Sequence, residues 1–492
     1  MELVQKELII ERIVLSETVQ LPVAGDVPVP EKRSARSVIS AGATAAVATH
    51  DVVGDSIVIT GSVRIDAVCA DASNEYFSFT SSAPFTHSLR CEGVPAGARV
   101  SVKPSVQGLN VRPADSLLSF DAALVLVCTA VDTSGLPVMA AIRGIDDVEF
   151  CEREVTAASR ARIGGGRLRL REEIDASGVA SALTAEGYAL CDSVTCTPDG
   201  ALVRGRLMVS ALVSDGDSAL SQLAREVEFE EVVPVQAFTH TPEATVTLES
   251  VALRAVSDDF GIVSVEAVML VEIDAVEERK LAIPTDAFSP SARFVPKHRR
   301  VRAVMPAERI CSRRVIREKV ALLEGLPSLK RPVFASAQPV VTLAAATGAD
   351  VTVEGVLLTR LVYESESGAI YSFVEDIPFV ATVECDAVCT PDAEVYCTVK
   401  AADSGDRWID VEFTVDMCAR LERSCELEAL VGFDEEADPP REAKGIIVYV
   451  TSPGDSAYDV AKTLRVPLEQ VRRCQPGKEA FAGGEKVVVL KP

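Results

Sequence analysis

Aromatic residues make up only 5% of this 492-residue chain, which has one Trp and four His. So few rings leave Val, Ala, Leu and Ile to fill the interior, and at 48% hydrophobic residues there are enough of them for several cores. A Val-rich, aromatic-poor chain with many short apolar runs favours strands. Long apolar runs are absent too. The longest, Ala122 to Val131, is too short to span a bilayer and suits a buried strand. Basic charge is scarce: 49 Lys and Arg face 73 Asp and Glu, for a net charge of −24. Such an acidic chain repels phosphate backbones and anionic lipid, which argues against nucleic acid or a membrane surface as partner, and the acidity reads first as solubility. The opening MELVQKELIIER is broken by Glu2, Glu7 and Glu11, so it does not read as a secretory signal.

Catalytic and metal-binding patterns are also missing. His50, His87, His240 and His298 form no His-x-x-x-His arrangement. Cys191 with Cys196, and Cys385 with Cys389, lack a second pair at zinc-ribbon spacing. The 13 cysteines are odd in number and irregular in spacing. That argues against a disulfide framework and for a reducing compartment in which they serve mostly as small buried hydrophobes. Gly164-Gly165-Gly166 lacks the Lys-Ser/Thr ending of a phosphate loop and reads as a hairpin turn. No catalytic residue, metal site or cofactor is expected.

Three stretches, Ile57 to Phe85, Ala201 to Phe229 and Val351 to Phe379, read alike. Gly61, Gly205 and Gly355 each stand 24 residues before a Phe: Phe85, Phe229 and Phe379. Apolar residues flank each Gly at two before (Ile59, Val203, Val353) and two after (Val63, Leu207, Leu357). This is the alternation of a half-buried strand, with the Gly marking a bulge or a close backbone approach. Polar turns follow at Asp71 to Asn74, Asp215 to Ser218 and Glu364 to Gly368, so each stretch predicts a hairpin. The flanks match as well, with a short alternating strand and then a longer apolar one: Leu118 to Ala130, Ile262 to Ile273 and Trp408 to Met417. Repeats of this length are domains.

The expected architecture is mainly β: three related sandwich-like domains at 1–145, 146–296 and 297–432, a linker at 433–444, and a small module at 445–492. The Asp- and Glu-rich linker, stiffened by Pro439-Pro440, would hold the module away from the body. One basic cluster, Lys297 to Arg302 with Arg313, Arg314, Arg317 and Lys319, reads as a strand face that balances charge locally; the other reading is docking onto an acidic surface.

The final stretch predicts strand, helix, helix, strand. Ile446 to Val450 is a strand, and Asp455 or Ser456 can cap a helix whose Ala457, Val460, Ala461 and Leu464 share one face. Pro467 opens a second helix carrying Leu468 and Val471 inward, and Gly483-Gly484 turns into a last strand. Tyr449, Val450, Pro453-Gly454-Asp455-Ser456, Val460-Ala461, Pro476, and Gly484 with Val487 fall in the order of a LysM domain, which this segment resembles. The resemblance implies binding of N-acetylglucosamine-containing glycan such as peptidoglycan. Its groove would lie between Gly454, Asp455, Ser456 and Ala457 on one loop and Gln475, Pro476 and Gly477 on the other. Backbone groups there could read the acetamide while an apolar wall holds its methyl. Two positions depart from the family: Gln475 replaces the usual Asn before Pro, and Ala457 replaces a larger apolar residue.

The repeated stretch, best seen in Val351-Thr352-Val353-Glu354-Gly355-Val356 and Pro378-Phe379, is similar to the SPOCS domain of spore-forming Firmicutes. SPOCS followed by LysM implies a non-enzymatic scaffold of spore coat or envelope assembly. It would be made in the mother cell, end at the spore surface, and bind glycan, coat proteins and copies of itself. A self-assembling coat or filament subunit with a purely structural LysM is the alternative. A LysM-targeted cell-wall hydrolase would need a clustered acid–base or zinc site, and no candidate is present.

Overall fold

The structure, a computed structural model, describes residues 2–30, 33–73, 75–114, 117–215, 219–236, 241–256, 261–305, 308–347, 350–384, 390–435, 445–478 and 480–491. It is mainly β, built from small antiparallel sheets and two short helices. Neither helix is long or apolar enough to cross a membrane.

In chain order the first strands are β1 (Glu2–Leu8), β2 (Arg12–Pro28), β3 (Ser37–Val53), β4 (Ser56–Ala70), β5 (Tyr76–Arg90), β6 (Arg99–Ala114), β7 (Leu117–Asp132) and β8 (Leu136–Arg143). Next come β9 (Glu149–Asp175), β10 (Ser181–Thr197), β11 (Gly200–Ser214), β12 (Leu220–Val233), β13 (Thr241–Ala255) and β14 (Ile262–Phe288). Then follow β15 (Phe294–Val304), β16 (Glu308–Ala321), β17 (Leu329–Ala346), β18 (Asp350–Ser365), β19 (Ile370–Glu384), β20 (Thr390–Gly405), β21 (Trp408–Glu422) and β22 (Ser424–Glu435). The tail holds β23 (Gly445–Val450), α1 (Ala457–Leu464), α2 (Leu468–Cys474) and β24 (Lys486–Lys491).

Two sheets, β3-β4-β5 and β2-β7-β6, face each other over one core. The same order returns in β10-β11-β12 over β9-β14-β13, and in β17-β18-β19 over β16-β21-β20. Each central strand turns alternate residues into its core, and the opposite face is buried too where sandwiches meet, as at Val68 and Leu212. Ile57, Ile59, Val63, Ile65 and Cys69 are fully buried on β4, for example, while the residues between them face out of the sandwich. The predicted hairpins are β4–β5, β11–β12 and β18–β19, with Gly61 opposite Phe85, Gly205 opposite Phe229 and Gly355 opposite Phe379. The glycines are required because the Phe ring lies across them. A Cβ on Gly355 would sit 2.2 Å from the Val340 carbonyl oxygen and 2.7 Å from the Phe379 ring, and Gly61 and Gly205 are equally crowded. The following turns also correspond. Asp71 and Asp215 use their side chains to accept backbone N–H groups of Glu75 and Ala219, and the Ser365 N–H donates to Ala369.

Two shared cores hold the sandwiches together. The first takes three matching positions from each: the bulged edge residues Ile39, Leu183 and Val333, then Val68, Leu212 and Val362 seven residues after each glycine, then Tyr76, Leu220 and Ile370. The second lies where the chain enters and leaves the sandwiches. There β1–β8, the outer ends of β9–β14, and β15–β22 form three two-stranded arms, the last joined to β2 through Ala303 and Arg12, and Ile10, Leu136, Val138, Val155, Ile283, Val301 and Leu427 meet between them.

The structure corrects three expectations. Gly164 to Gly166 lie inside β9, paired with Val271 to Ile273 on β14, and do not form a hairpin turn. They admit a close crossing: a Cβ on Gly164 would lie 2.6 Å from the Pro234 oxygen, and one on Gly165 2.7 Å from the Val271 oxygen. Phe433, Asp434 and Glu435, read as the start of a linker, finish β22 against Phe294 to Pro296, and residues 436–444 lie outside the described set. Cys311 and Cys418, direct partners across β16 and β21, form a disulfide, so not all cysteines act as isolated hydrophobes.

Candidate functional site

The C-terminal module is organised by its caps. Ser456 begins α1 with a capping box: Asp459 N–H donates to Ser456 Oγ at 3.1 Å, and Ser456 N–H donates to Asp459 Oδ2 at 2.9 Å. Arg465 ends the helix in the left-handed region, at φ 54°, which turns the chain sharply into α2. Ala457, Val460, Ala461, Val466, Val471, Phe481, Val487 and Val489 form the module core.

Asp455 fixes the first loop. Its Oδ2 accepts from Ser452 N–H at 2.7 Å and from the Tyr449 hydroxyl at 3.1 Å, and its carbonyl accepts from Phe481 N–H at 2.8 Å. The bond to Asp455, followed by burial, raises the Tyr449 phenol above its ordinary pKa. Gly454, at φ 92°, donates to the Phe481 carbonyl at 3.3 Å, and Ser456 bridges to Ala480. Thr451 completes the clasp by donating to the Ala482 carbonyl at 2.7 Å and accepting from Glu485 N–H at 3.1 Å. On the second loop, Gln475 caps α2 through its N–H to Val471, and Gly477 turns the chain at φ 76°.

The predicted glycan residues therefore divide. Among the described residues, the bonds tying the first loop to the second chain segment run to Ala480–Glu485 and not to Gln475, Pro476 or Gly477. Pro453, Gly454, Pro476 and Gly477 are exposed. Ala457 is 1% exposed and sits in the core, so it cannot touch a ligand directly. The Gly454 N–H and the Asp455 carbonyl are already hydrogen-bonded within the module. Sequence reasoning missed the segment Ala480 to Gly483. Its signal is Gly483, where a Cβ would come 2.7 Å from Pro453.

The module is docked on the body and is not held off it. Tyr458 packs edge-on against Phe288 at the end of β14, with ring centroids 5.3 Å apart. Lys462 pairs with Asp286, and Leu468 N–H donates to Glu149 Oε1 at 3.4 Å. Burial, with the Asp286 carboxylate nearby, pushes the Tyr458 phenol well up. This contact uses the helices and leaves the Ser452–Gly454 and Pro476–Lys478 loops open to solvent.

Elsewhere, the basic cluster is matched by acidic neighbours. Lys297 pairs with Asp434, Arg300 with Glu426, Arg313 with Asp416 and Glu226, and Arg317 with Glu412, while Lys319 lies 3.6 Å over the Trp408 ring. Among the described residues no group of three His, Cys, Asp or Glu side chains could hold a metal ion. Comparisons with family models, curated proteins and solved structures find no match for this chain.

Proposed function

We propose that this chain is a non-enzymatic scaffold protein whose C-terminal module is a LysM domain that binds N-acetylglucosamine-containing glycan. Its three sandwiches would be copies of one SPOCS-like domain. The carrying observation is the module: a β-α-α-β chain order with a Ser456–Asp459 capping box, docked through its helices so that the loops resembling a LysM groove face solvent. An anchored reader of this kind suits coat or envelope assembly at a glycan surface, with the body available to other coat proteins. The sugar contacts fall to Ser452–Gly454, Gln475–Gly477 and Ala480–Gly483, with Ala457 supporting from behind.

Co-sedimentation of the full chain with purified peptidoglycan tests the reading. Wild type should pellet, and Pro476→Trp, at an exposed position, should stay in solution. Failure of the wild type to pellet removes the glycan role.

One observation favours the second reading, a self-assembling subunit with a structural module. The outer face of β23–β24 exposes Ile446 (74%), Val448 (54%), Val450 (56%), Val488 (48%) and Leu490 (61%), with Ile446 opposite Leu490 and Val448 opposite Val488. If this face pairs copies, Val448→Glu abolishes any concentration-dependent increase in mass on size exclusion.

A further inference from the structure

Where the second sandwich meets the third, Gln222 on β12 is plugged into the edge of its neighbour. Its amide nitrogen donates to the Ala335 carbonyl at 2.9 Å and the Val399 carbonyl at 2.8 Å, and lies 2.9 Å from Ser210 Oγ. Its carbonyl oxygen accepts from Ala335 N–H at 3.3 Å. β17 and β20 are edge strands, so these backbone groups have no ladder partner on that side. The plug answers a polar need that would otherwise be costly.

The first and second sandwiches meet in the same manner, but the plug is absent. Ser78 on β5 stands 17 residues after Gly61, as Gln222 stands 17 after Gly205, and its short side chain cannot reach across. Ala185 opposes Ala211 in the register where Ala335 opposes Leu361. Val251 opposes Ala267 where Val399 opposes Phe413. A cleft of about 160 Å³, lined by Ser78, Ala185 and Val251 among others, opens at this place. At about 30 Å³ per water it has room for roughly five. Asp66 takes the position of Ser210 on its wall, held by Arg64 at 2.9 Å and by Thr80.

We propose that this cleft is a binding site for a primary carboxamide, carried either by a small molecule or by an Asn or Gln side chain of a partner. The chain itself supplies the template. One backbone N–H meets the amide oxygen, and two backbone carbonyls meet the amide hydrogens, as Ala335 and Val399 do for Gln222. The Asp66 carboxylate on the wall is held by Arg64 and Thr80 and keeps the cleft an acceptor-rich place. A carboxylate ligand is disfavoured, because it has no hydrogen to offer the two carbonyls.

Ligand-observed NMR on the full chain tests this with propionamide, propionate and a Gly-Gln-Gly peptide. Propionamide or the peptide binds, propionate does not, and Ser78→Gln weakens the amide signal about tenfold by filling the cleft with its own carboxamide. Binding by the peptide alone assigns the site to a partner side chain; binding by propionamide as well assigns it to amides generally. If neither binds, or if Ser78→Gln binds as wild type does, the proposal is overturned. If Ser78→Gln does not fold, the contrast between propionamide and propionate on wild type decides.

Discussion

The strand glycines show how a single atom fixes the hairpins. Because the ring of Phe379 lies over Gly355, the methyl of an alanine has nowhere to go, and the nearest atom is a backbone carbonyl that cannot swing aside. Gly355→Ala should therefore cost about 1–3 kcal/mol or more, read as a lower urea midpoint, and Gly61→Ala and Gly205→Ala should behave alike. A glycine that tolerates alanine would show that the close approach is not required. Asp132 gives a pH-dependent counterpart. Burial alone would raise its carboxyl, but the Ser134 hydrogen bonds and the Arg12 and Arg299 charges outweigh burial and hold it below the usual carboxylate range. Its stabilising contribution is present above the unfolded value, about 3.9, and is lost as pH falls through the depressed folded value. Asp132→Asn should cost about 3–5 kcal/mol at neutral pH, because Arg12 is 5% exposed and loses its charge partner. The variant should also lose the share of the acid-side slope that Asp132 contributes, and urea midpoints across pH would record both effects.

Elements were legible in the sequence to different degrees, for physical reasons. The central strands could be read because alternation around Gly61, Gly205 and Gly355 is local, and the cap of α1 could be narrowed to Asp455 or Ser456 because both directly precede the apolar face; the reciprocal bond between Ser456 and Asp459 emerges only in the structure. The two-stranded arms could not. β1 pairs with β8 and β15 with β22 across more than a hundred residues, and none of these strands alternates cleanly. The Cys311–Cys418 bridge was hidden for the same reason. In the candidate site, the cap and both loops were legible, whereas the burial of Ala457 and the clasp through Phe481 depend on packing. Ser456→Ala should cost the module about 1 kcal/mol, seen as faster amide exchange in α1 with the sandwiches unchanged. Docking of the module rests on Phe288, Asp286 and Glu149. A Phe288→Asp, Lys462→Glu double variant should release it and enlarge the radius of gyration by small-angle X-ray scattering, and an unchanged radius would contradict the docked arrangement.

At the scale of the whole molecule, the sandwiches keep separate interiors and close on one another through matching outward-facing positions, so each packs against the other two. Leu212 touches this common core and is fully buried, and Leu212→Ala should cost about 2–5 kcal/mol. Because the loss falls at the junction of all three, calorimetry should show one broad wild-type transition separating into distinct ones. The proposed function places recognition at the tail docked on this body. Hydrogen exchange on the full chain, with and without an N-acetylglucosamine tetramer, tests that claim most directly. The account predicts new protection at 452–457 and 475–483 and none in the three sandwiches; no protection in those loops, or protection confined to the sandwiches, would contradict it.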